Sequence, residues 1–561
     1  MQLFLVRLEC SSIQSYIFAS NRLREAIGGS YLIKQTTSTY LKYFLRQAVK
    51  SEVKEEWEKA IRLEILHDTT VGAEILYSGG GNAVIIFKDS TELKAFLNRM
   101  SGQLLAIAPG ITLLSGVAAF ESELIGELNR ACKEAQERLE RLKEAAWVGT
   151  RLEGISVNRS CEATGLAAAI RYKDKSKENN APAITKYYSA GTVARLEAAR
   201  EAQDINADPE LEQILSAAKK DWLIPFDLDD IGGKEGEKHL AVVHVDGNGL
   251  GKRLQEILND PLQQETEVLA ARIRSFSKSV NKAAVDSFKE LVNELVSHLD
   301  SLEKRGLSLT KKYILIGSEL EVVQGKQRVE IKKYLPLRPL VYGGDDLTFV
   351  CEGKLGLALA ARYLEIFSEQ MEVDENGKPV GKKFSACAGV VIAKIHFPLA
   401  RAYRLSEALC ASAKKAAKEA ENTRNPGTNS SWLDFHSIHS GLTGSLSQMR
   451  KEVKGALGLK KPYWVTTSES AEQQKERSWE QFLKYQRNFT DPEKPWPRRI
   501  VKGLLDTLAL GDNEIEKYLE QAKLRGNKLD LVDGTTFESL YAPLEAMDFC
   551  LELTDPHLAK E

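Results

Sequence analysis

The chain has 561 residues, enough for three or four domains, and 43% hydrophobic with 28% charged residues indicates a globular protein with a large core. The formal net charge of −2 excludes a strong overall attraction to nucleic acid, so any RNA contact must come from a local patch. Seven cysteines without a C-x-x-C pair indicate neither a zinc ribbon nor a disulfide framework. The N-terminus begins as a strand rather than a signal peptide and no apolar run reaches membrane-spanning length, which predicts a cytoplasmic protein without a membrane partner.

The first 150 residues alternate strand patterns with helix patterns. Residues 3–8 predict a strand, and residues 74–87 contain two apolar β runs around a Gly-Gly-Gly-Asn turn at 79–82. Residues 111–120 predict a further strand, and residues 121–146 predict a long amphipathic helix. This order fits a ferredoxin-like βαββαβ layout.

The dipeptide His67-Asp68 raises the question of an HD phosphohydrolase. That chemistry needs several histidines and a further aspartate around a metal ion, and the eight histidines of the chain show no such grouping. We therefore interpret His67-Asp68 as a loop and expect no nuclease activity.

A second acidic segment lies between residues 222 and 230, where Asp227, Asp229 and Asp230 follow a short apolar run. Three neighbouring acids are compatible with a metal site. A solvated connector is the favoured interpretation, because the segment leads from a polar stretch into the next strand pattern.

Asp246 ends an apolar run over residues 239–245 and is followed by the glycine-rich turn Gly247-Asn248-Gly249. We expect it at a strand end, beside exposed backbone groups. Capping a helix N-terminus is the alternative role for this aspartate. Residues 254–304 then carry apolar side chains at helical spacing and predict a helical insertion.

Residues 340–350 form the stretch on which the functional prediction depends. Apolar β-formers flank Gly343 and Gly344, which can adopt the positive φ angles of a short hairpin, and Asp345 and Asp346 follow directly. Adjacent carboxylates repel each other unless a cation neutralises them, so a divalent metal ion is the expected occupant. An ordinary acidic turn is the alternative from this stretch alone.

A strand-ending aspartate combined with a Gly-Gly-Asp-Asp hairpin resembles the large polymerase-like subunit of type III CRISPR effector complexes, whose palm makes cyclic oligoadenylates, and also the GGDEF-type diguanylate cyclases. The resemblance continues through a strand at 384–393 and a proline-started helix that reaches Lys418. It implies an α+β fold with two ferredoxin-like palm domains, a linking module and a C-terminal helical bundle. The family's nuclease domain normally precedes the first palm, so the resemblance implies a form without the HD nuclease domain.

The resemblance also implies the domain limits. We expect a degenerate first palm with a Gly-Gly-Gly-Asn hairpin, a linking module whose zinc site is lost because only Cys161 remains, a catalytic second palm and a C-terminal helical domain. The expected ranges are 1–148, 149–235, 236–440 and 441–561.

Roles for individual residues follow from the same resemblance. Asp246, Asp345 and Asp346 are the expected catalytic carboxylates, and with the Gly247 carbonyl they are expected to hold two Mg²⁺ or Mn²⁺ ions that bridge the substrate ATP. Lys414 is expected to neutralise triphosphate charge, with a solvated lysine face as the alternative. The other expected nucleotide contacts, including those of a second ATP on the first palm, are Asn248, Gly343, Gly344, Lys418, Ser30 and Gly80.

These features together predict a nucleotidyltransferase that converts ATP to cyclic oligoadenylate in antiviral defence. Its expected partners are other subunits of a guide-RNA ribonucleoprotein complex and, through that complex, target RNA, and a homo-oligomer stays open. Two alternatives remain: a stand-alone nucleotidyl cyclase of another defence system, and a non-catalytic scaffold that binds ATP. Three carboxylates in the second palm argue against the scaffold.

Overall fold

The structure is a computed structural model that describes most of the chain. The predicted domain limits at 148/149, 235/236 and 440/441 fall outside the described residues. The described residues are 1–60, 62–145, 157–174, 184–219, 221–231, 238–262, 264–304, 318–322, 329–374, 377–424, 430–438, 444–453, 460–466, 477–490, 496–508, 510, 512–527 and 537–550.

The first palm is built on a five-stranded sheet. Its elements in chain order are β1 (Gln2–Ser11), α1 (Ile13–Ile17), α2 (Leu23–Thr37), α3 (Thr39–Ala48), β2 (Glu52–Lys54), α4 (Glu64–His67), β3 (Val71–Gly79), β4 (Asn82–Phe87), α5 (Ser90–Ile107), β5 (Thr112–Glu121) and α6 (Glu127–Ala145). The strand order is β2-β3-β4-β1-β5, with β1 antiparallel to both of its neighbours. His67 ends the four-residue helix α4, so this residue lies in a helix where the sequence analysis expected a loop.

A linking region (residues 157–231) follows. It contains β6 (Ile170–Asp174), β7 (Ile184–Tyr188), α7 (Ala190–Glu201) and α8 (Pro209–Ile214), with 3₁₀ turns at Ile205–Ala207 and Leu228–Ile231. Cys161 is buried here, and its Sγ lies 3.5 Å from Thr192 Oγ1. Of the three acids of the connector, Asp227 directly precedes the second 3₁₀ turn, and Asp229 and Asp230 lie within it.

The second palm is built on a six-stranded sheet. Its elements are β8 (His239–Gly247), α9 (Leu250–Asn259), α10 (Thr266–Lys304), β9 (Ser318–Val322), β10 (Val329–Lys333), β11 (Leu337–Val341), β12 (Asp346–Glu352), α11 (Gly356–Glu369), β13 (Met371–Val373), β14 (Pro379–Lys383), β15 (Ala386–Lys394), α12 (Leu399–Arg424) and β16 (Ser431–Ser437). The strand order is β11-β12-β8-β15-β16, and one further strand pairs with β16. Among the described residues, strands β9 and β10 pair with each other and not with the palm sheet.

The remaining elements are α13 (Leu446–Val453), β17 (Tyr463–Thr466), α14 (Trp479–Thr490), α15 (Arg498–Leu508), α16 (Asp512–Leu524) and α17 (Phe537–Glu545). Strand β17 pairs antiparallel with β16, so the sheet of the second palm takes its last strand from beyond residue 440. Within the described ranges, no helix combines the length and the apolar character needed to cross a bilayer.

The two sheets repeat one topology. The order β3-β4-β1-β5 in the first palm corresponds to β11-β12-β8-β15 in the second, and both match the strand order of a ferredoxin-like fold. The predicted α+β fold with two ferredoxin-like palms is therefore confirmed. Strand β8 lies in the middle of its sheet, and apolar residues on both of its faces are buried, with Val243 on one face and Val242 on the other.

Buried polar contacts join the second palm to the first. The long helix α10 carries Arg274, which is 2% exposed and pairs with Glu74 of β3 at 2.8 Å. The same guanidinium donates hydrogen bonds to the carbonyl oxygens of Leu76, Ile75 and Arg62. An uncompensated charge at this depth is costly, so the pair and its hydrogen bonds hold the helical insertion in one position on the first palm.

Candidate active site

Asp246 and the two hairpin acids meet at one end of the second sheet. The register of β8 and β12 places Asp246 directly opposite Asp346. The backbone N–H of Gly247 donates to the carbonyl oxygen of Asp345 at 3.0 Å, which fixes the third acid beside the first two. Directly opposite side chains on an antiparallel pair have Cβ atoms about 5 Å apart, so Asp246 and Asp346 share one face of the sheet.

The hairpin turn takes the backbone conformation that the glycines permit. Gly343 and Gly344 have φ angles of +96° and +74°, as predicted. The Gly344 N–H donates to Asn281 Oδ1 at 3.0 Å, and a Cβ added at Gly343 would lie 3.2 Å from Glu210 Oε2. The linking region and the helical insertion therefore hold the outer side of the turn.

The negative charges of Asp345 and Asp346 are destabilised by burial and by repulsion from neighbouring carboxylates. Burial together with the charges of Asp246, Asp345 and Glu407 raises the pKa of Asp346 to about 8. The pKa of Asp345 is raised as well, because the surrounding protein removes water from it and Asp246 adds a negative charge. Oδ1 of Asp346 is buried and, within the described part of the chain, accepts no hydrogen bond. A cation is the natural way to stabilise such a group.

Lys414 supplies a positive charge at this position. It lies on α12, and its Nζ is 2.5 Å from Asp246 Oδ2 and donates to the Gly247 carbonyl oxygen at 3.0 Å. The ammonium group thus occupies two of the oxygens that the sequence analysis assigned to metal. Lys418 lies one turn further along the same helix and is exposed.

The donor set fits a divalent metal ion in its chemistry. Carboxylate and carbonyl oxygens are the ligands of Mg²⁺ and Mn²⁺, and a buried carboxylate oxygen without a donor is the environment such an ion stabilises. The side chains are not yet assembled around one point. In the described ranges, no three His, Cys, Asp or Glu side chains are arranged as a ready metal site. Asp246 is paired with Lys414, and Asp346 Oδ1 lies 3.3 Å from His244 Nδ1.

The other expected nucleotide contacts are dispersed. Asn248 lies beside the acids, but its side chain is engaged in hydrogen bonds to Ser385 Oγ and the Ser430 carbonyl oxygen, both at 3.1 Å. Ser30 lines a space of about 10 Å³ between α2 and β11, which is too small for a nucleotide. Gly80 is exposed at the tip of the first-palm hairpin, with φ +58°.

The end of the first sheet reproduces the geometry of the acidic site without its acid pair. Glu9 of β1 lies opposite Asn82, as Asp246 lies opposite Asp346. The Cys10 N–H donates to the Gly81 carbonyl oxygen at 2.8 Å, which matches the hydrogen bond between Gly247 and Asp345. Lys143 of α6 lies 2.6 Å from Glu9 Oε1, in the position that Lys414 takes beside Asp246.

A glycine in each palm sets the position of the lysine-bearing helix. A Cβ added at Gly116 of β5 would lie 2.0 Å from the Ala135 carbonyl oxygen, and one added at Gly389 of β15 would lie 2.0 Å from the Ser406 carbonyl oxygen. In each palm the contacted helical residue precedes the lysine by two turns. The missing side chain lets the helix backbone approach the strand, and this approach brings the lysine to the acid.

Several residues near the acids escaped the sequence analysis. The Gln14 side chain of α1 faces Asp346 and acts against the rise in its pKa. Phe18, just after α1, stacks on Tyr403 with ring centroids 3.9 Å apart, and the Tyr403 hydroxyl donates to Glu407 at 3.1 Å. Burial lowers the pKa of His244 to about 4, so this imidazole is neutral at physiological pH. The first palm therefore contacts the acidic site of the second through α1 and the residue that follows it.

Comparisons with known proteins identify part of the chain. A family model described as "Cas10/Cmr2, second palm domain" matches residues 239–425. No curated protein matches the sequence. The chain is similar in structure to a Csm1-Csm4 cassette in complex with cA4, with 12% identity over 98% of this chain and 70% of that one and a TM-score of 0.41. It is also similar to Csm1 in T. onnurineus, with 12% identity over 100% of this chain and 69% of that one and a TM-score of 0.40. The family model by itself identifies residues 239–425 as matching the second palm domain of the Cas10/Cmr2 family, which confirms over this range the resemblance to the palm-bearing large subunit of type III CRISPR complexes.

Proposed function

We propose that this protein is a nucleotidyltransferase that converts ATP to cyclic oligoadenylate in a type III CRISPR-like antiviral system. The observation that carries the proposal is the strand register that sets Asp246 opposite Asp346, beside Asp345 and below a Gly-Gly turn. The family match over residues 239–425 supports the same chemistry. We also propose the domain ranges given above, and other subunits of a guide-RNA complex as partners.

Each residue of the site has a role in this proposal. Asp246, Asp345, Asp346 and the Gly247 carbonyl would hold two Mg²⁺ or Mn²⁺ ions, which would supply Lewis acidity to the triphosphate and to the attacking ribose hydroxyl. Lys414, whose ammonium pairs with Asp246 in this structure, would neutralise phosphate charge on the bound triphosphate. The open side of Gly344, where an added Cβ would meet nothing within 4 Å, leaves room for the nucleotide.

The direct experiment is to incubate the purified protein with each nucleoside triphosphate and Mn²⁺ and to identify the products by mass spectrometry. We expect cyclic oligoadenylate from ATP and no product from the variant with Asp345→Ala and Asp346→Ala. The double variant Glu516→Ala and Glu520→Ala, which removes two exposed carboxylates from α16, is the matched control and should make product at the wild-type rate. Equal product from the two double variants would contradict the metal assignment.

A non-catalytic scaffold is the second candidate function. It is favoured by one observation, that in the described structure Asp246 is paired with Lys414 and the three acids are not gathered around one point. A scaffold would bind ATP and form no product with any triphosphate or metal. A stand-alone cyclase would form the same amount of product whether or not guide RNA, target RNA and partner subunits are present. An enzyme of a guide-RNA complex should instead form more product when the assembled complex binds target RNA.

A further inference from the structure

A cleft of about 470 Å³ opens where the first palm, the linking region and the second palm meet. Its walls come from the start of α2, strands β6 and β7, α7, the connector at 226–229 and the turn after β15. A volume of this size is typical of sites that bind small molecules. Its lining includes neither the three acids nor Lys414.

Among the described residues, the lining of the cleft carries more cationic than anionic side chains, although the chain as a whole has a net charge of −2. Four of its described side chains are cationic and two are carboxylates. The charged lining residues are Arg22, Arg24, Lys186, Arg200, Asp227 and Asp229. Clefts lined mainly by one sign of charge concentrate ligands of the opposite sign.

Aromatic rings lie among these cations. The Arg24 guanidinium pairs with Asp227 and lies over the Phe226 ring, 5.0 Å from its centroid. Arg200 Nη2 donates to the Tyr172 hydroxyl at 2.6 Å. Nε of Arg24 is buried and has no hydrogen-bond acceptor in the part of the chain that the structure describes. Arginines interleaved with rings recognise phosphate groups together with nucleobases.

The cleft lies far from the acidic site. Cys387 pairs with Asp246 at one end of β15, and the cleft residue Ile395 lies just past the other end. Eight residues of extended strand separate them, which corresponds to about 26 Å. Asn21, at the edge of the cleft, accepts a hydrogen bond from the N–H of Ala400 in the first turn of α12, the helix that carries Lys414.

We propose that this cleft binds a nucleotide unit, with its phosphate on the arginines and its base against Tyr172 or Phe226. The unit is supplied either as a free nucleotide or by single-stranded RNA, since both present the same phosphate and base. The site is additional to the one proposed for catalysis and does not depend on its activity.

Binding is measured by calorimetry on the full chain carrying Asp345→Ala and Asp346→Ala, in EDTA, so that the acidic site cannot hold a metal-bound triphosphate. The probes are AMP, adenosine and an eight-nucleotide single-stranded RNA. We expect AMP, RNA or both to bind and adenosine to bind at least tenfold more weakly, because it has no phosphate. RNA binding without AMP binding identifies RNA as the source, and AMP binding without RNA binding identifies a free nucleotide.

Variants locate the binding. Arg200→Glu should weaken it at least tenfold, whereas Arg141→Glu, an exposed arginine on α6 outside the cleft, should leave it unchanged. Asp229→Asn removes an exposed carboxylate from the lining and should strengthen binding two- to threefold, a gain that misfolding cannot produce. The proposal is overturned if neither AMP nor RNA binds, if adenosine binds as tightly as AMP, or if Asp229→Asn and Arg200→Glu both match the Arg141→Glu control.

Discussion

At the scale of single residues, Lys414 and Lys143 make the same contact in two palms that differ in their acids. Lys414→Ala should lower kcat/KM for ATP roughly ten- to a hundredfold, because a charge-assisted contact to phosphate contributes about 1.5–3 kcal/mol. Stability should change little, since the pair with Asp246 is about one-third exposed. Steady-state kinetics beside a thermal melt tests both statements.

The first palm supplies the matched control for this prediction. Lys143→Ala removes a lysine of the same geometry that faces Glu9 instead of an acid cluster, and it should leave kcat unchanged. Lys415→Ala, on the exposed surface of the same helix as Lys414, should leave both kinetic constants unchanged. If Lys414→Ala has kinetics like those of Lys415→Ala, the solvated-face interpretation is correct for Lys414 and Lys418 becomes the next candidate for the phosphate contact.

The acid pair gives a second prediction at this scale. Replacing both side chains with Asp345→Ala and Asp346→Ala removes their repulsion with Asp246. The Tm of the metal-free protein should therefore rise by a few degrees, since a change of 1 kcal/mol in the free energy of unfolding shifts Tm by roughly 2–4 °C in a domain of this size. Mn²⁺ should raise the Tm of the wild-type protein and leave that of the variant unchanged. A variant that Mn²⁺ stabilises as much as the wild type would show that metal binds elsewhere.

At the scale of elements, Gly389 determines where α12 lies on the sheet. A Cβ there would lie 2.0 Å from the Ser406 carbonyl oxygen and 2.4 Å from the Cys410 nitrogen, both backbone atoms of the helix. Gly389→Ala should therefore cost about 1–3 kcal/mol of stability and move Lys414 away from Asp246. We expect a lower Tm and a loss of product formation.

Gly116→Ala makes the equivalent change in the first palm, where the added Cβ would meet the Ala135 carbonyl oxygen at the same 2.0 Å. It should lower the Tm to a similar extent and leave Mn²⁺ binding by the second palm intact, as measured by the metal-induced shift in Tm. Loss of that shift in both variants would mean that the strand–helix contact acts through general stability and does not position the lysine.

The sequence predicts these elements well where their periodicity is strong. The continuous apolar run of β8 and the Gly-Gly pair at 343–344 identify the central strand and the hairpin, and both occur as expected. Strand β17 was missed because it has only four residues and lies within a stretch of helical pattern. The role of Gly389 was missed for a different reason, since a glycine in a strand does not reveal which backbone approaches it.

At the scale of the whole molecule, the pairing of Asp246 with Asp346 across two strands could be predicted from the sequence, because each aspartate lies at the end of a regular apolar pattern. The approach of Gln14 and Phe18 to the acids of the second palm could not, since it depends on how two domains pack. Contacts between residues almost 400 positions apart, such as Phe18 with Tyr403, leave no local signal in a single sequence. The two palms nevertheless share buried clusters that include residues of both sheets.

A buried ionic cluster also joins the C-terminal helix α17 to the second palm, and it makes the stability of the molecule depend on pH. Burial alone would raise the pKa of Glu545, but the Lys461 ammonium and the His436 imidazole outweigh burial and hold this pKa well below its usual range. Oε1 of Glu545 also accepts a hydrogen bond from the Ser437 N–H at 2.8 Å. Because the folded-state pKa lies below the ordinary value of about 4.3, the cluster stabilises the protein fully above that pH and progressively less as pH falls below it.

Glu545→Gln should cost about 3–5 kcal/mol at pH 7, because it leaves the Lys461 charge buried without a counterion. Urea unfolding followed from pH 7 to pH 3 should show the gap between wild type and variant narrowing only below about pH 4. Glu520→Gln, on the exposed face of α16, is the control and should match the wild type throughout; a gap of constant size across this pH range would show that Glu545 is not ionised in the folded protein.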